Sequence, residues 1–410
     1  MRMLQAASRE GTARGKPGME HHQARPRESA EGQRACIEVG EVRGRRARGA
    51  FLRFPWRIYA NDPQWVPPLL MERKEFIDPK KHPFLRHGAA THFLAFRGGR
   101  PVGRILVSDD PNYNAEHATN VGCFGMFETI DDGRVAAALL DAAADWLRAR
   151  GRTQILGPID YSTNYACGLL IEGFDTPPRI MMNHNPPYYA RLLEAWGLSK
   201  AKDLYSWWFD DVFDMMATWK DKAERLLARG RITVRHFQVR DMAAELARCK
   251  RIYNSAWERN WGFVKMTDSE FDYLAKDLRR VALPELLLFA EMDGAPVGFS
   301  MTLPDINEAM RPLNGRLFPW GLPIGLVRFM LNCRRIRTCR LLTLGVMEGY
   351  RRRGIAELLI LGTLDYGKNV VGYTGAELGW TLEDNALINR AILTVGGKQY
   401  KTYRIYERDI

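Results

Sequence analysis

One turn of the sequence combines residue types that can hold a phosphate group. Three arginines precede a glycine, between a stretch typical of a strand (341–347) and an apolar stretch with helical spacing. Backbone N–H groups at the start of a helix have no intrahelical acceptor and lie at the positive end of the helix dipole. Glycine lets a ligand approach the backbone closely, so the pattern predicts a pyrophosphate cradle, with a basic helix start on a solvated surface as the alternative. Its residues are Arg351, Arg352, Arg353, Gly354, Ile355 and Ala356.

The overall charge of the chain agrees with an anionic ligand. A formal net charge of +12 over 410 residues favours a phosphate-bearing cofactor, an acidic lipid surface or a nucleic acid as partner. A basic protein without such a partner is the alternative. The six cysteines are scattered without a CxxC pair, which argues against a zinc site and for a reducing compartment. We therefore expect no metal.

The first fifty residues differ in composition from the rest of the chain. They carry eleven Lys and Arg against six Asp and Glu, with almost no apolar periodicity, so residues 1–50 are predicted to be a disordered basic tail or an over-extended start. The tail has no apolar core of the kind that a secretory signal needs, and the chain nowhere runs about 18 apolar residues without a charge. We therefore expect a cytoplasmic protein that does not span a membrane.

Two halves of the chain repeat one order of elements. Residues 93–107 and 287–301 both show an apolar stretch, a polar turn with glycine and a Pro-Val-Gly start to a second apolar stretch, which predicts two β-hairpins. A strand, a turn with one central glycine and a helix follow each hairpin, and each half ends in a short helix and closing strands. Such a duplication predicts one α+β unit used twice.

This order of elements, with the signature Arg-Arg-Arg-Gly-Ile-Ala at 351–356, resembles the GNAT acyl-CoA-dependent N-acyltransferases. The resemblance covers 280–410 well and 90–215 weakly. It implies an α+β fold with a tandem pair of GNAT-like domains, each a mixed, mostly antiparallel sheet flanked by helices. It also implies acyl-CoA as co-substrate, with its pyrophosphate on the 351–356 turn. Other cofactor-binding positions implied by the family are Leu344, Gly345, Val346 and Asn385.

The first half departs from the family signature at the equivalent turn. That turn reads Asp-Asp-Gly-Arg at 131–134, and its two carboxylates would repel a pyrophosphate. We therefore expect an N-terminal GNAT-like lobe without coenzyme A at 51–220, which supplies packing or part of the acceptor pocket. The C-terminal GNAT lobe, at 221–410, is expected to hold the acyl-CoA site.

Five further stretches point to a narrower group: 54–69, 157–174, 185–204, 253–263 and 401–407. With them the chain resembles, over 51–410, the YghO-like two-lobed GNAT proteins, which include the bacterial ceramide synthases. The resemblance implies transfer of a fatty acyl chain from long-chain acyl-CoA to the amine of a sphingoid base, a step of sphingolipid biosynthesis.

One segment suits a lipid substrate independently of the family. Residues 317–332 are strongly apolar and are followed by the arginine-rich stretch 333–340. Glycine, proline and arginine interrupt the segment too often for a bilayer span, whereas an apolar face beside a basic cluster suits the surface of an anionic membrane. A buried helix is the alternative. If the face is exposed, the sequence predicts a peripheral protein at the inner membrane face.

Amide formation from a thioester requires a base for the ammonium and an acid for the leaving thiolate. In the family, the strand after the signature helix splays from its neighbour where the acyl group lies. The resemblance therefore makes Glu377, on this strand, the first candidate for the base, with a salt bridge to an arginine as the alternative. Many GNAT enzymes have a tyrosine acid near the end of the next helix, where this chain has Ile392. Either the thiolate leaves unprotonated, or another tyrosine, such as Tyr400 or Tyr403, replaces the missing acid.

Aromatic and amide side chains in 253–263 could line the acceptor pocket, or they could belong to the core. These residues are Asn254, Trp257, Asn260 and Trp261. A GNAT enzyme that moves a small acyl or aminoacyl group to a polar amine would instead have 317–332 packed inside and an acceptor groove lined by acids. A basic nucleic-acid-binding protein is disfavoured because the aromatic residues are not interleaved with Lys and Arg, and we expect no nucleic acid partner.

Overall fold

The computed structural model describes residues 36–210, 213–228, 231–258 and 260–410. Its strands are β1 (Ile37–Glu41), β2 (Ala89–Arg97), β3 (Arg100–Asp109), β4 (Val121–Thr129), β5 (Gln154–Gly157), β6 (Leu169–Glu172), β7 (Ser199–Phe209), β8 (Ile232–His236), β9 (Leu287–Met292), β10 (Ala295–Pro304), β11 (Thr338–Val346), β12 (Gly375–Leu382) and β13 (Lys398–Asp409). Its helices are α1 (Gly44–Arg53), α2 (Pro55–Ile58), α3 (Leu70–Phe76), α4 (Pro111–His117), α5 (Gly133–Arg148), α6 (Tyr189–Ala195), α7 (Phe213–Ala228), α8 (Met242–Trp257), α9 (Asp268–Leu278), α10 (Asn307–Met310), α11 (Ile324–Cys333), α12 (Ile355–Tyr366) and α13 (Ala386–Thr394). In the described ranges, none of these helices has the length and apolar character needed to cross a membrane.

The thirteen strands of the described chain form one continuous sheet. Its order is β1-β2-β3-β4-β5-β13-β7-β12-β11-β10-β9-β8, with β6 paired to β13. The two predicted repeats are visible as β2–β5 and β9–β12, each antiparallel until its last pair, which is parallel. Parallel neighbours need a crossover, which α5 and α12 supply. The predicted α+β architecture, in which one unit is used twice, is confirmed.

The closing strands are exchanged between the two halves. β13, from the end of the chain, lies between β5 and β7, while β7, from the end of the first half, lies between β13 and β12. Each half of the sheet is therefore completed by a strand of the other half. The predicted domain boundary at residue 220 falls inside α7 and stays a prediction.

Part of the segment predicted to be a disordered tail is folded. β1 pairs antiparallel with β2, and its residues Ile37 and Val39 pack against the core around α5. Helix α1 follows directly. The end of the predicted tail is therefore corrected from residue 50 to before residue 37, since a strand of five residues is too short to be recognised from its alternation. Residues 1–35 lie outside the described residues.

The two crossover helices differ in how much of their surface is buried. In α5 the buried residues recur every three or four positions, which is the pattern of a helix with one side on a sheet. α12 is apolar on nearly every side because it packs against the sheet and is also contacted by α7. A glycine marks the start of each helix. Gly133 is the first residue of α5, shortly after β4, and Gly354 directly precedes α12, after β11.

Candidate active site

Two neighbouring strands of the second half separate in the middle of the sheet. β11 and β12 pair in parallel only over 338–341 and 375–378. Beyond this point β11 continues to Val346 and β12 to Leu382 without pairing to each other. Strand separation leaves backbone groups on the facing edge of β11 free to bond a ligand that lies between the strands. The predicted cofactor residues Leu344, Gly345 and Val346 lie on this stretch.

A β-bulge in β11 shapes the opening. Met301 of β10 pairs with Thr343 and Thr302 pairs with Leu341, so Leu342 has no partner on β10. In a regular strand, adjacent side chains point to opposite faces of the sheet. Because of the bulge, both Leu342 and Thr343 line the same cavity.

This cavity, of about 590 Å³, lies between the sheet and the helices α8 and α9. Most of the side chains that line it are apolar or aromatic. They include Met242, Leu246, Cys249, Tyr253 and Trp257 of α8, Phe271, Leu274, Ala275 and Leu278 of α9, and Phe299, Met301, Leu342 and Trp380 of the sheet. Among the described residues, Asp272 is the only carboxylate in the lining, and it is exposed. Met181 and Val239 also line the cavity and are exposed, so the cavity opens to solvent.

One wall of the cavity comes from the first half of the chain. Residues 163–165, in the loop between β5 and β6, belong to the lining. The side-chain amide of Asn164 donates to the carbonyl of Val264 (3.0 Å) and accepts from the hydroxyl of Tyr253 on α8 (2.8 Å). The site is therefore composite, because both halves of the chain build its wall.

The turn before α12 leaves the start of that helix open. Gly354 precedes the helix with φ of 79°, a left-handed conformation that favours glycine. Gly354 has no side chain with which to cap the helix, and no other side chain of the described ranges bonds its first N–H groups, so these groups are available to an anion. Arg351 donates to the carbonyl of Ala256 at the end of α8 (2.7 Å), and Arg353 donates to the sulfur of Met292 (3.3 Å). Within the described ranges, the three arginines of the turn form no ion pair, so their charges are available to a ligand.

Gly345 brings α8 close to the free edge of β11. A Cβ atom at this position would lie 2.5 Å from the ring of Trp257. Any larger residue would therefore push α8 away from the strand. The close packing places the aromatic end of α8 directly beside the backbone predicted to hold the cofactor arm.

The equivalent helix start in the first half is closed by the protein's own carboxylate. Asp132 caps α5 by accepting a hydrogen bond from the N–H of Arg134 (2.9 Å). The guanidinium groups of Arg97 and Arg134 both pair with this carboxylate. Against the effect of burial, hydrogen bonds from Arg134 and Arg97 lower the pKa of Asp132 to about 2. An anion would have to displace a permanently charged group from this position.

The opening between β4 and β5 is also filled. These strands separate after three paired residues each, as β11 and β12 do after four. The N–H of Ile159 then donates to the carbonyl of Phe124 (2.6 Å), and the carboxylate of Asp160 accepts from the N–H of Met126 (2.9 Å). In the first half, the loop after β5 thus occupies the place that is open in the second half.

Solved structures of similar fold agree with this architecture. A tandem GNAT protein from the clavulanic acid biosynthesis pathway, solved without AcCoA, matches with a TM-score of 0.53 at 14% identity, over 91% of this chain and 98% of its own. A GCN5-related N-acetyltransferase from Sphaerobacter thermophilus matches with a TM-score of 0.50 at 14% identity, over 91% and 95% of the two chains. At such low identity the likeness shows the fold alone. No family model matches the chain.

Two relatives are much closer in sequence. Protein YghO of Escherichia coli (strain K12) is 36% identical over 366 residues, which cover 88% of this chain and 92% of that protein. The bacterial ceramide synthase of Caulobacter vibrioides (strain NA1000 / CB15N) is 37% identical over 362 residues, which cover 87% of this chain and 94% of that protein. The chain belongs to the YghO-like group of GNAT N-acyltransferases. As a member of this group it is an acyltransferase, and the resemblance seen in its sequence is confirmed.

In this YghO-like chain the predicted base, Glu377, is fully buried on β12. Its Oε1 lies 2.8 Å from Nε of Arg340, and the hydroxyl of Tyr400 donates to its Oε2. Arg340 also donates to the carbonyls of Ile180 (2.5 Å) and Gly379 (3.1 Å). Arg340 lines the cavity, whereas Glu377 and Tyr400 do not. The salt bridge that the sequence left as the alternative is therefore present, and the role of Glu377 as base stays a prediction.

Tyr403 and Asn385 do not belong to the cavity lining. Tyr403 is fully buried, and its hydroxyl has no hydrogen-bond partner in the described part of the chain. Burial raises the pKa of Tyr400 and of Tyr403, and the nearby charge of Glu377 raises both further. Asn385 caps α13, since its side chain accepts from the N–H of Ile388 (3.5 Å). The acid and cofactor-binding roles predicted for these residues stay predictions.

The residues predicted to bind the acceptor are mostly found at the cavity. Trp257, Asn260 and Trp261 line it, while Asn254 lies on α8 outside the lining. Their role in substrate binding stays a prediction.

Two parts of the cavity were not predicted from the sequence. Arg340 stands in the arginine-rich stretch 333–340, where its charge suggested a surface position, yet it is fully buried. The loop 163–165 lies in 157–174, a stretch noticed only for its family resemblance. Both depart from the local pattern of the sequence, and this departure could have revealed them. Arg340 is a charged residue at a core position of an apolar strand, and the loop is a polar run between two apolar strands.

Proposed function

We propose that the protein transfers a fatty acyl chain from acyl-CoA to the amine of a lipid, such as a sphingoid base, and so forms an amide. The observation that carries the proposal is the apolar cavity beside the opening between β11 and β12. Its volume of about 590 Å³ lies within the range of about 300–1,000 Å³ that is usual for ligand pockets. Transfer of an acetyl group would not require so much apolar surface next to the thioester. The similarity to a bacterial ceramide synthase also supports a lipid acceptor.

Two observations disfavour a small, polar acceptor amine. Such an acceptor predicts a groove lined by acids, whereas Asp272 is the only carboxylate among the described lining residues and lies at the exposed rim. It also predicts that 317–332 is packed inside, whereas seven large apolar side chains of that segment are exposed. Both differences are expected if the substrate is a lipid.

The second half has the features that coenzyme A requires. The open N–H groups at the start of α12, with the arginines at 351–353, would hold the pyrophosphate. The unpaired edge of β11 at 344–346 would pair with the pantetheine arm, which has amide groups like a peptide. The arm would then bring the thioester to the bulge at Leu342 and Thr343, where the cavity begins. The first half lacks this fit because Asp132 caps α5, so we propose one acyl-CoA per chain.

The reaction itself needs one proton acceptor and one proton donor. The ammonium of the acceptor loses a proton, and its nitrogen then attacks the thioester carbon while the C=O electron pair moves to oxygen. When the carbonyl re-forms, the C–S bond breaks, the sulfur leaves with the electron pair and takes up a proton, and the nitrogen gives up its second proton. The products are an amide, the coenzyme A thiol and one proton. Backbone N–H groups on the free edge of β11 would stabilise the negative oxygen.

For proton transfer we retain Glu377, Tyr400 and Tyr403 as candidates, and the geometry supports an indirect role for the carboxylate. Both oxygens of Glu377 are engaged, one in the ion pair with Arg340 and one in the hydrogen bond from Tyr400. The ion pair holds the guanidinium of Arg340 in the cavity wall, so Glu377 would act as a positioning residue. Proton exchange with the amine would then pass through water in the open cavity.

The substrates also suggest where the protein works. A sphingoid base and a long-chain acyl-CoA both partition into membranes, because each buried CH₂ group contributes about 0.8 kcal/mol. We therefore propose that the protein acts in the cytoplasm, peripherally at the inner membrane face.

A substrate series tests the proposal. Purified protein would be given acyl-CoA esters from acetyl to stearoyl, with either a sphingoid base or spermidine as acceptor, and the products identified by mass. We expect amide from the sphingoid base, with kcat/KM rising by up to about fourfold per added methylene, the equivalent of about 0.8 kcal/mol. A higher kcat/KM for acetyl transfer to spermidine would contradict the proposal. The variant Gly354→Glu serves as the inactive control.

A further inference from the structure

The exposed apolar side chains of the described chain are concentrated in one segment. Of the fifteen large apolar side chains that are exposed, seven lie between residues 318 and 331. They are Phe318, Trp320, Leu322, Ile324, Val327, Met330 and Leu331, here called the apolar patch. Trp320 is 88% exposed and has a left-handed backbone, with φ of 54°, in the turn before α11. A concentration of this kind on a soluble protein marks a surface that binds a partner or a membrane.

Helix α11 is attached to the fold by one side only. Gly325 is buried, and a Cβ there would meet the backbone of Leu317. The side-chain amide of Asn332 donates to a backbone carbonyl of α10 (3.3 Å). The opposite side of the helix carries Ile324, Val327 and Leu331 at helical spacing, and all three are exposed. The apolar side of the helix therefore faces away from the described chain.

Arginines flank and interrupt the apolar patch along the sequence. From residue 311 to residue 337 the sequence has six arginines and no Asp or Glu. The arginines are Arg311, Arg316, Arg328, Arg334, Arg335 and Arg337. All six are exposed, and none pairs with a carboxylate of the described ranges. Arg328 follows Ile324 by four residues and so lies on the same exposed side of α11.

We propose that the apolar patch and its six arginines dock the protein on a bilayer rich in anionic lipid. Apolar side chains beside Lys or Arg are the pattern of segments that lie in the membrane interface, where tryptophan is also enriched. A second copy of the chain fits this surface less well, because a symmetric contact would bring the same six arginines of each copy together. The assignment deepens the proposed function, on which it rests for its purpose: the lipid substrates would be taken from the bilayer.

Vesicle flotation tests the docking without any substrate. Full-length protein would be mixed with vesicles of phosphatidylcholine alone or with phosphatidylglycerol added, and the bound fraction measured at two salt concentrations. We expect binding to the anionic vesicles, reduced by salt. Arg334→Gln/Arg335→Gln should bind roughly 30-fold more weakly, from about 1 kcal/mol per arginine at an anionic surface. The matched control is Arg45→Gln/Arg46→Gln, an exposed arginine pair on α1.

The apolar contribution needs its own pair of variants. Trp320→Ser/Leu322→Ser should lose binding to anionic vesicles, whereas Val370→Ser/Leu393→Ser, which removes two exposed apolar side chains elsewhere, should not. Binding of wild type to neutral vesicles as strong as to anionic ones would overturn the proposal. Unchanged flotation of the patch variants would also overturn it. So would light scattering that shows a dimer for wild type and a monomer for Trp320→Ser/Leu322→Ser.

Amide formation from detergent-solubilised substrates separates this inference from the proposed function. The patch variants should form product in detergent at the wild-type rate, because none of the patch residues lines the cavity. Flotation without amide formation by wild type would leave the docking surface standing and reject the transferase proposal. Amide formation without flotation would support the transferase proposal and reject the docking surface.

Discussion

Replacing Gly354 by aspartate should convert the open helix start of the second half into a closed one like that of the first. The nearest atoms to an added Cβ belong to Leu226, whose terminal methyl at 2.6 Å can rotate away. The left-handed backbone at this position costs a non-glycine residue about 1–2 kcal/mol. A capping hydrogen bond from the aspartate would offset about 0.5–2 kcal/mol of that cost; Asp132 makes such a bond at α5 from an extended backbone. The free energy of unfolding should therefore stay close to that of wild type.

Coenzyme A binding by Gly354→Asp should be much weaker. A carboxylate about 4 Å from one phosphate charge costs about 4 kcal/mol at an effective dielectric constant of about 20, which is roughly a thousandfold in Kd. Gly354→Asn is the matched control, since it has the same shape and can cap the helix but carries no charge. It should lose about tenfold at most, through competition of its cap for the same N–H groups.

Calorimetric titration with coenzyme A and thermal unfolding of the same samples measure both quantities. The loss for Gly354→Asp should exceed that for Gly354→Asn by about a hundredfold at low salt, and the ratio should shrink as salt screens the repulsion. Equal losses for the two variants would mean that shape, and not charge, matters at this position. Wild-type affinity in Gly354→Asp would refute the pyrophosphate site.

Three further changes test other parts of the site. Glu377→Gln leaves the buried guanidinium of Arg340 without a charged partner, so the free energy of unfolding, measured in urea, should fall by about 3–5 kcal/mol. Unchanged stability with a large fall in kcat would instead make Glu377 the base. Ala275→Phe fills part of the cavity and should lower kcat/KM for stearoyl-CoA but not for short-chain acyl-CoA esters. The control Ala247→Phe, on the exposed side of α8, should leave both values unchanged. An equal loss at all chain lengths in Ala275→Phe would contradict the cavity assignment. Burial raises the pKa of Asp305 from 3.8 to about 6, although the charge of Arg179 opposes this shift. The folded protein is therefore more stable when Asp305 is protonated. The stability of wild type relative to Asp305→Asn should therefore fall by up to about 3 kcal/mol between pH 4 and 6, and a flat difference would reject the shift.

The order of elements could be predicted because each hairpin and helix has a local signal. The glycine turns, the apolar alternation and the helical spacing all lie within short stretches of the chain. The exchange of β7 and β13 could not be predicted in this way, because no local pattern states which distant strand β13 will meet. The same holds for β1, whose five residues become a strand only when β2 supplies a partner.

In the candidate site too, the parts with a local sequence signal could be predicted and the parts built from distant segments could not. The turn at 351–354 was predictable because its arginines, its glycine and the following helix are contiguous in sequence. The cavity was not, since its walls come from 163–165, from α8 and α9, and from the bulge at Leu342. Burial alone distinguishes Arg340 from the exposed arginines a few residues before it, and burial depends on strands from both halves.

The most direct test of the account is a crystal structure of the protein with a non-hydrolysable thioether analogue of stearoyl-CoA. We expect the diphosphate within hydrogen-bonding distance of the first N–H groups of α12. We also expect the pantetheine arm against the free edge of β11 and the acyl chain between α8, α9 and the sheet. A diphosphate bound at α5, or an acyl chain left outside an empty cavity, would contradict the account.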